Sequence, residues 1–155
     1  MDVKLEKVNE NNFDDFVEII EKMCEWAGKE LLGDDGRLRL KKHYFQDKPK
    51  FNAILAFIDD KPVGFVSFFE TYATMDARVT MYVEDIFVLE EFQKQGIGKV
   101  LISECLNIAK EKDYGRVDLL SFREGPRKFY EKLGAKWQDH NYHYRFFEDV
   151  IKAGF

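Results

Sequence analysis

Gln93-Lys94-Gln95-Gly96-Ile97-Gly98 is the stretch on which the reading of this chain turns. It follows Val83-Glu84-Asp85-Ile86-Phe87-Val88, a run dominated by β-branched and apolar residues, which reads as a strand. It precedes residues 99–110, where Val100, Leu101, Cys105 and Ile108 continue one apolar helical face from Ile97. A helix start leaves backbone N–H groups without intrahelical acceptors, at the positive end of the helix dipole. Glycine at such a turn lets an anion come close to those groups. The segment is therefore expected to bind a phosphate or pyrophosphate, and the chain to hold a phosphorylated cofactor.

Two familiar nucleotide loops do not fit. A Walker A loop needs glycine, four residues, then Gly-Lys-Ser/Thr; here Gln93 opens the hexapeptide and Val100 follows Gly98-Lys99. A dinucleotide fingerprint needs a third glycine where Leu101 stands, and needs to open the chain rather than fall midway along it.

Before the turn, residues 3–8 alternate apolar and charged side chains, as a half-buried strand does. Asn11 or Asn12 is placed to cap a helix carrying Phe13, Phe16, Val17, Ile19, Ile20, Met23 and Cys24 on one face, ending at Trp26-Ala27-Gly28. Gly33-Asp34-Asp35-Gly36 reads as a loop and residues 37–45 as a second, short helix. Residues 51–59 and 63–72 are strands joined by a hairpin turn at Asp59-Asp60-Lys61-Pro62. In residues 78–88 the apolar phase changes, from Val79, Met81 and Val83 to Ile86 and Val88. That break predicts a β-bulge at Glu84-Asp85, which splays the strand from a neighbour.

After the turn, residues 117–122 form a strand, Gly125-Pro126 opens a helix through Leu133 that Gly134 stops, and residues 135–137 and 142–147 are strands. The order is β-α-α-β-β-β-α-β-α-β-β, a mixed α/β fold in a single domain over residues 1–155, with a β-α-β crossover that sets two strands parallel.

Gln-x-x-Gly-x-Gly between strand and helix resembles the acyl-CoA pyrophosphate loop of the GNAT superfamily of N-acetyltransferases. Residues 83–88 are similar to that family's cofactor strand, and Lys128-Phe129-Tyr130-Glu131-Lys132-Leu133-Gly134-Ala135 to its late Phe-Tyr-x-x-x-Gly helix. The resemblance implies a central, mostly antiparallel sheet of six to seven strands with a splayed parallel pair, flanked by four helices. It implies acetyl-CoA as the cofactor. Gln93, Lys94, Gln95, Gly96, Ile97, Gly98 and Lys99 are then the pyrophosphate cradle, and the edge at Ile86, Phe87 and Val88 pairs with the pantetheine arm as an added strand would. Many members carry an asparagine after the fifth strand. Phe122-Arg123-Glu124-Gly125-Pro126 has none, so Arg123 is the candidate contact there.

Acetyl transfer to an amine needs a base, since an alkylammonium has a pKa near ~10, and an acid for the departing thiolate. Glu84 at the bulge is the candidate base, acting directly or through water. Asp85, its neighbour, is expected on the opposite side of the strand. The resemblance makes Tyr130 the general acid and a neighbour of the cofactor sulfur. Tyr82-Val83-Glu84-Asp85 is most similar to the spermidine/spermine (diamine) acetyltransferase branch, which implies a polyamine or other small primary amine as acceptor. Glu25, Trp26, Glu30, Glu84 and Asp85 are the candidate acceptor residues, by charge pairing and cation–π contact. The alternatives are an amino-acid (thialysine-like) or protein N-terminal/lysine acetyltransferase and, outside enzymes, an acyl-CoA-binding sensor.

Composition agrees with a packed enzyme-sized domain: 155 residues, 45% hydrophobic, with 15 Phe and 7 Tyr. A net charge of −5 argues against a nucleic-acid partner. Cys24 and Cys105 stand at apolar helical positions as reduced thiols, and His43, His140 and His143 lack metal-ligand spacing, so no metal is expected. No apolar leader or membrane span is visible, which reads as a cytoplasmic protein without a membrane partner. Family members of this size are often homodimers, and the aromatic residues 142–147 are the candidate interface.

Overall fold

The computed structural model describes residues 2–121, 124–138 and 152. These residues divide between two compact units, Met1–Leu120 and Ser121–Phe155.

In the first unit the order is β1 (Lys4–Lys7), α1 (Phe13–Ala27), α2 (Gly33–Tyr44), β2 (Asn52–Ile58), β3 (Lys61–Ala73), β4 (Arg78–Val88), α3 (Ile97–Glu111) and β5 (Val117–Leu119), with a 3-10 turn at Glu90–Phe92. The strands form one sheet in chain order, β1-β2-β3-β4-β5. The first three pairings are antiparallel, and β4 runs parallel to β5. Short hairpins give the antiparallel pairs, while α3 supplies the crossover that a parallel pair requires.

Strand alternation sorts the core into two layers. Ala53, Leu55, Phe57, Phe65 and Phe87 face α1 and α2, where they meet Phe13, Phe16, Val17, Ile19 and Tyr44. Phe16 and Phe65, each 1% exposed, meet edge-on with centroids 5.3 Å apart. Burying one such ring is worth roughly 1.5–3 kcal/mol. Ile54, Ala56, Val66, Phe68 and Val83 alternate to the other face, which α3 covers with Ile97, Leu101, Ile102 and Cys105. Cys24 and Cys105 therefore lie on opposite sides of the sheet as free thiols, and burial pushes the Cys105 thiol up to about 12.

Local chemistry explains the joints. Asn12 caps α1 through its carbonyl, which accepts from Phe16 N–H, while its side chain turns away from the helix: Oδ1 accepts from Asn9 N–H at 2.7 Å, and Nδ2 donates to Glu6 and to the Lys7 carbonyl. The side chain thus ties β1 to α1. Gly28, at φ 65°, closes α1 with the Lys29 N–H bonded to the Cys24 carbonyl. Asp59 and Asp60 take φ 49° and 58° in the β2–β3 hairpin, the turn expected there.

Three expectations need correction. α2 begins at Gly33, inside the run read as a loop: Asp34 and Asp35 fill its first turn, where they complement the helix dipole. β5 is shorter than expected and ends at Leu119. The sheet has five strands among the described residues rather than six or seven: residues 135–138 have no strand structure, and residues 142–147 lie outside the described residues.

The second unit contains α4 (Glu124–Lys132), with Pro126 in its first turn. Arg127 bonds Glu131 at 2.9 Å and stacks over the Trp137 ring at 3.7 Å. Gly134, at φ 94°, stops the helix as expected.

Candidate functional site

The β4 distortion organises the first unit's site. Ser67 pairs with Asp85 and Phe68 with Val83, so Glu84 is an extra residue with no partner on β3. This is the bulge expected from the phase break, and it lies at Glu84 itself. Backbone bonds on the two sides agree: before the bulge Met81 N–H donates to Arg116 of the β5 side, while beyond it Leu89 N–H donates to Val63 on the β3 side. Alternation from Leu89 turns the backbone groups of Ile86 and Val88 toward the β5 edge. Among the described residues, however, β5 pairs only with Met81, Tyr82 and Val83. Among the described residues no strand pairs with this edge from the bulge onward, and the Val88 carbonyl accepts from the Gln93 side chain. Phe87 is different from its neighbours, with its side chain 7% exposed in the α1-side core.

The bulge also changes where Asp85 points. Tyr82 and Asp85 are opposite Phe69 and Ser67, two residues apart on β3, and so share one face. It is the face of Phe65 and Phe87, toward α1. The register places Asp85 on the α1 face, and Glu84, the extra residue, has no partner on β3. Burial holds the Asp85 carboxyl above its ordinary value, helped by the neighbouring Glu84 charge, while Ser67 and Lys29 act in the other direction. Ser67 Oγ donates to Asp85 Oδ2 at 3.4 Å. Ser67 and Lys29 were not singled out in the sequence; the one signal for Ser67 is a lone hydroxyl in the apolar run from Val63 to Phe69.

The acceptor-side candidates divide. Trp26 packs against Phe87 with centroids 5.8 Å apart, which sets the C-terminal end of α1 against β4. Glu84 is exposed beside Asp85. Glu25 forms an exposed ion pair with Lys22 at 3.2 Å, and Glu30 is exposed.

At the end of β4 the turn takes the conformation its glycines suggest. Gly96 is the N-cap of α3 at φ 89°, and no side chain caps the helix. The N–H groups of Ile97, Gly98 and Lys99 have no intrahelical acceptor. Lys94 also adopts positive φ, 60°, a conformation a residue with a Cβ holds only when its surroundings impose it. Gln93 Nε2 donates to the Val88 carbonyl at 3.0 Å, and Gln95 Nε2 to the Glu91 carbonyl at 2.9 Å, so both glutamines brace the turn. A Cβ placed on Gly96 meets nothing within 4 Å, leaving the approach to these N–H groups open. Gln95, Gly96, Lys99 and Ser103 line a groove there. The chemistry on offer is an anion cradle joined by one strand to an open edge and an acidic bulge.

In the second unit Tyr130 lies on α4 with its ring 5.1 Å from that of Phe129. Burial pushes its phenol up to about 12, so it keeps its proton at neutral pH. Arg123 lies outside the described residues. Among the described residues no cluster of His, Cys, Asp and Glu has the arrangement of a metal site, and no helix is long and apolar enough to cross a membrane.

Comparison with known proteins adds to this geometry. A model of the acetyltransferase (GNAT) family matches residues 16–135. Among characterised relatives, the chain is 25% identical over 147 residues to a thialysine N-epsilon-acetyltransferase of Bos taurus, covering 86% of this chain and 84% of the relative. It is 35% identical over 75 residues to an L-ornithine N5-acetyltransferase of Arabidopsis thaliana, a match spanning 47% of this chain and 33% of that protein. In fold it is similar to an integron cassette protein from the mobile metagenome of V. cholerae, with TM-score 0.84, 24% identity and coverage of 99% and 97% of the two chains.

Proposed function

The chain belongs to the acetyltransferase (GNAT) family, and from that premise we propose that it carries an acetyl group from acetyl-CoA to a small aliphatic primary amine received at the β4 bulge. Family members are acyl-CoA-dependent N-acetyltransferases. The observation that carries the reading is the placement on one strand of an acidic bulge, an edge from which β5 has parted, and an anion cradle at the start of α3.

The residues of the cradle fit the cofactor. The N–H groups at Gly96, Ile97, Gly98 and Lys99 suit a pyrophosphate, with Lys94 and Lys99 supplying positive charge and Gln93 and Gln95 bracing the turn. The edge at Ile86 and Val88 suits an amide-bearing arm, with Phe87 holding the strand in the core. Arg123 belongs to the same proposal as a contact from beyond β5. Bound there, acetyl-CoA supplies the acetyl group as a thioester.

The chain's own groups then handle protons. Glu84, exposed at the bulge, accepts the ammonium proton through a water molecule. Asp85, on the α1 face, adds negative charge that draws the ammonium in, and Trp26 walls the same side. Glu25 and Glu30 extend the acidic approach. Tyr130 holds its proton at the hydroxyl, ready for the departing sulfur.

A polyamine, as in the spermidine/spermine branch, is the leading acceptor, because Glu84 and Asp85 together suit a multiply charged amine. A second reading is the side-chain amine of an amino acid. It is favoured by the relatives, named for thialysine and ornithine, and by Lys29, whose charge acts on Asp85 and suits an acceptor's carboxylate. We place this activity in a single cytoplasmic domain that works as a homodimer through residues 142–147. Release of free thiol from acetyl-CoA across a panel of polyamines, monoamines and amino acids tests the reading. Tight acetyl-CoA binding with no thiol release for any amine overturns it in favour of a sensor.

A further inference from the structure

We infer that the rings of Phe69 and Tyr82 form a subsite for the distal ammonium of a diamine acceptor, one pleat beyond the acidic bulge. The inference rests on the reading of this chain as an amine acetyltransferase and adds to it the residues that read the acceptor's second charge.

The register carries the argument. Phe69 pairs with Tyr82, next along the same face to the pair Ser67 and Asp85. The two rings meet with centroids 5.3 Å apart at an interplanar angle of 35°. Both side chains are half-buried, so each keeps some surface open. The apolar cluster on the α1 side includes Phe65 and Phe87 but neither Phe69 nor Tyr82. The Ser67–Asp85 pair therefore lies between the core and this ring pair, with the bulge residue Glu84 next to Asp85 in the chain. Two residues along a strand span about 6.7 Å. A chain of three or four methylenes separates two amines by about 5–6 Å. An ammonium is attracted to an aromatic face within about 6 Å of its centroid. An acceptor amine placed at the acidic bulge, beside Asp85, thus brings a second ammonium, three or four carbons away, within reach of the ring pair. A plain monoamine leaves the rings unused.

The opposite face of the hairpin offers a matched control. Tyr72 and Val79 pair there, both exposed, on strands β3 and β4 but on the side away from Asp85. Tyr72→Leu removes an aromatic ring from the same hairpin without touching the acceptor face.

The test compares kcat/KM for 1,4-diaminobutane with butylamine, and for 1,3-diaminopropane with propylamine, in the wild type and in Tyr82→Leu, Phe69→Leu and Tyr72→Leu, with thermal melting to verify that each variant is folded. The wild type is expected to prefer each diamine about tenfold or more, and Tyr82→Leu and Phe69→Leu to reduce that ratio to within about threefold, chiefly through KM. Tyr72→Leu is expected to keep the wild-type ratio. Equal rates for diamine and monoamine in the wild type, or an unchanged ratio in folded Tyr82→Leu and Phe69→Leu, overturn the subsite while leaving acetyl transfer itself established. Absence of transfer to every amine overturns both.

Discussion

Ser67 Oγ donates to Asp85 Oδ2 across β3 and β4 at 3.4 Å, on the face that α1 covers. The bond exists because Glu84 is inserted between Val83 and Asp85 and rotates the strand by one residue. Its consequence is an acid in a partly dry place. Burial raises the Asp85 carboxyl above its ordinary value, and the neighbouring Glu84 raises it further.

An acid whose folded pKa exceeds its unfolded pKa holds its proton more tightly when folded. Its contribution to stability is full below the unfolded value and is lost as pH rises through the folded value. At neutral pH the charged Asp85 therefore weakens the fold. Asp85→Asn is expected to raise the melting temperature at pH 7, with the gain shrinking toward zero below about pH 3.8. The same variant raises KM for the amine. Melting curves across pH with steady-state kinetics check both; a lower melting temperature at pH 7 contradicts the burial argument.

Tyr130 gives a kinetic prediction. Its phenol, pushed up to about 12 by burial, keeps its proton throughout the working range. Tyr130→Phe is expected to lower kcat about 10²–10⁴-fold with little change in acetyl-CoA affinity. Wild-type kcat should show no decline between pH 8 and 10 from loss of this proton. An unchanged kcat in the variant removes Tyr130 from the mechanism.

The hexapeptide and the bulge were legible because each breaks a local rule. Gly96 and Gly98 interrupt what is otherwise a strand followed by a helix, and the apolar phase shifts between Val83 and Ile86. The face on which Asp85 lies could be read only from the β3 register, because the extra residue Glu84 interrupts simple alternation along β4. Gly33-Asp34-Asp35-Gly36 has the composition of a loop, yet its acids suit a first helical turn just as well. Ser67 and Lys29 bear on Asp85 only through pairing and packing between distant segments, which no local pattern announces.

Gly96 tests the cradle. At φ 89° it adopts a conformation that β-branched residues rarely hold, and a Cβ there projects into open space rather than into protein. Gly96→Val is expected to abolish acetyl-CoA binding, at a stability cost of about 1–3 kcal/mol. Calorimetric titration measures the first and chemical denaturation the second. Retained affinity in the folded variant contradicts the role of the turn.

Gly64 tests the scaffold. A Cβ at this residue lies 2.5 Å from the Phe87 carbonyl oxygen and 3.1 Å from Val88 Cα, both backbone atoms. Gly64→Ala must push β3 and β4 apart beside the open edge. Overpacking of this kind costs about 1–3 kcal/mol, and denaturant titration should show that loss. A variant as stable as the wild type contradicts the close approach of the two strands.

The central claim is that the acidic bulge receives an amine and the chain acetylates it. The most direct measurement is mass spectrometry of 1,4-diaminobutane and of ornithine after incubation with acetyl-CoA, using the wild type and Glu84→Gln. The account predicts an added acetyl group on at least one amine with the wild type and a large drop in rate with Glu84→Gln. No acetylated product from the wild type, or equal rates in the two proteins, contradicts it.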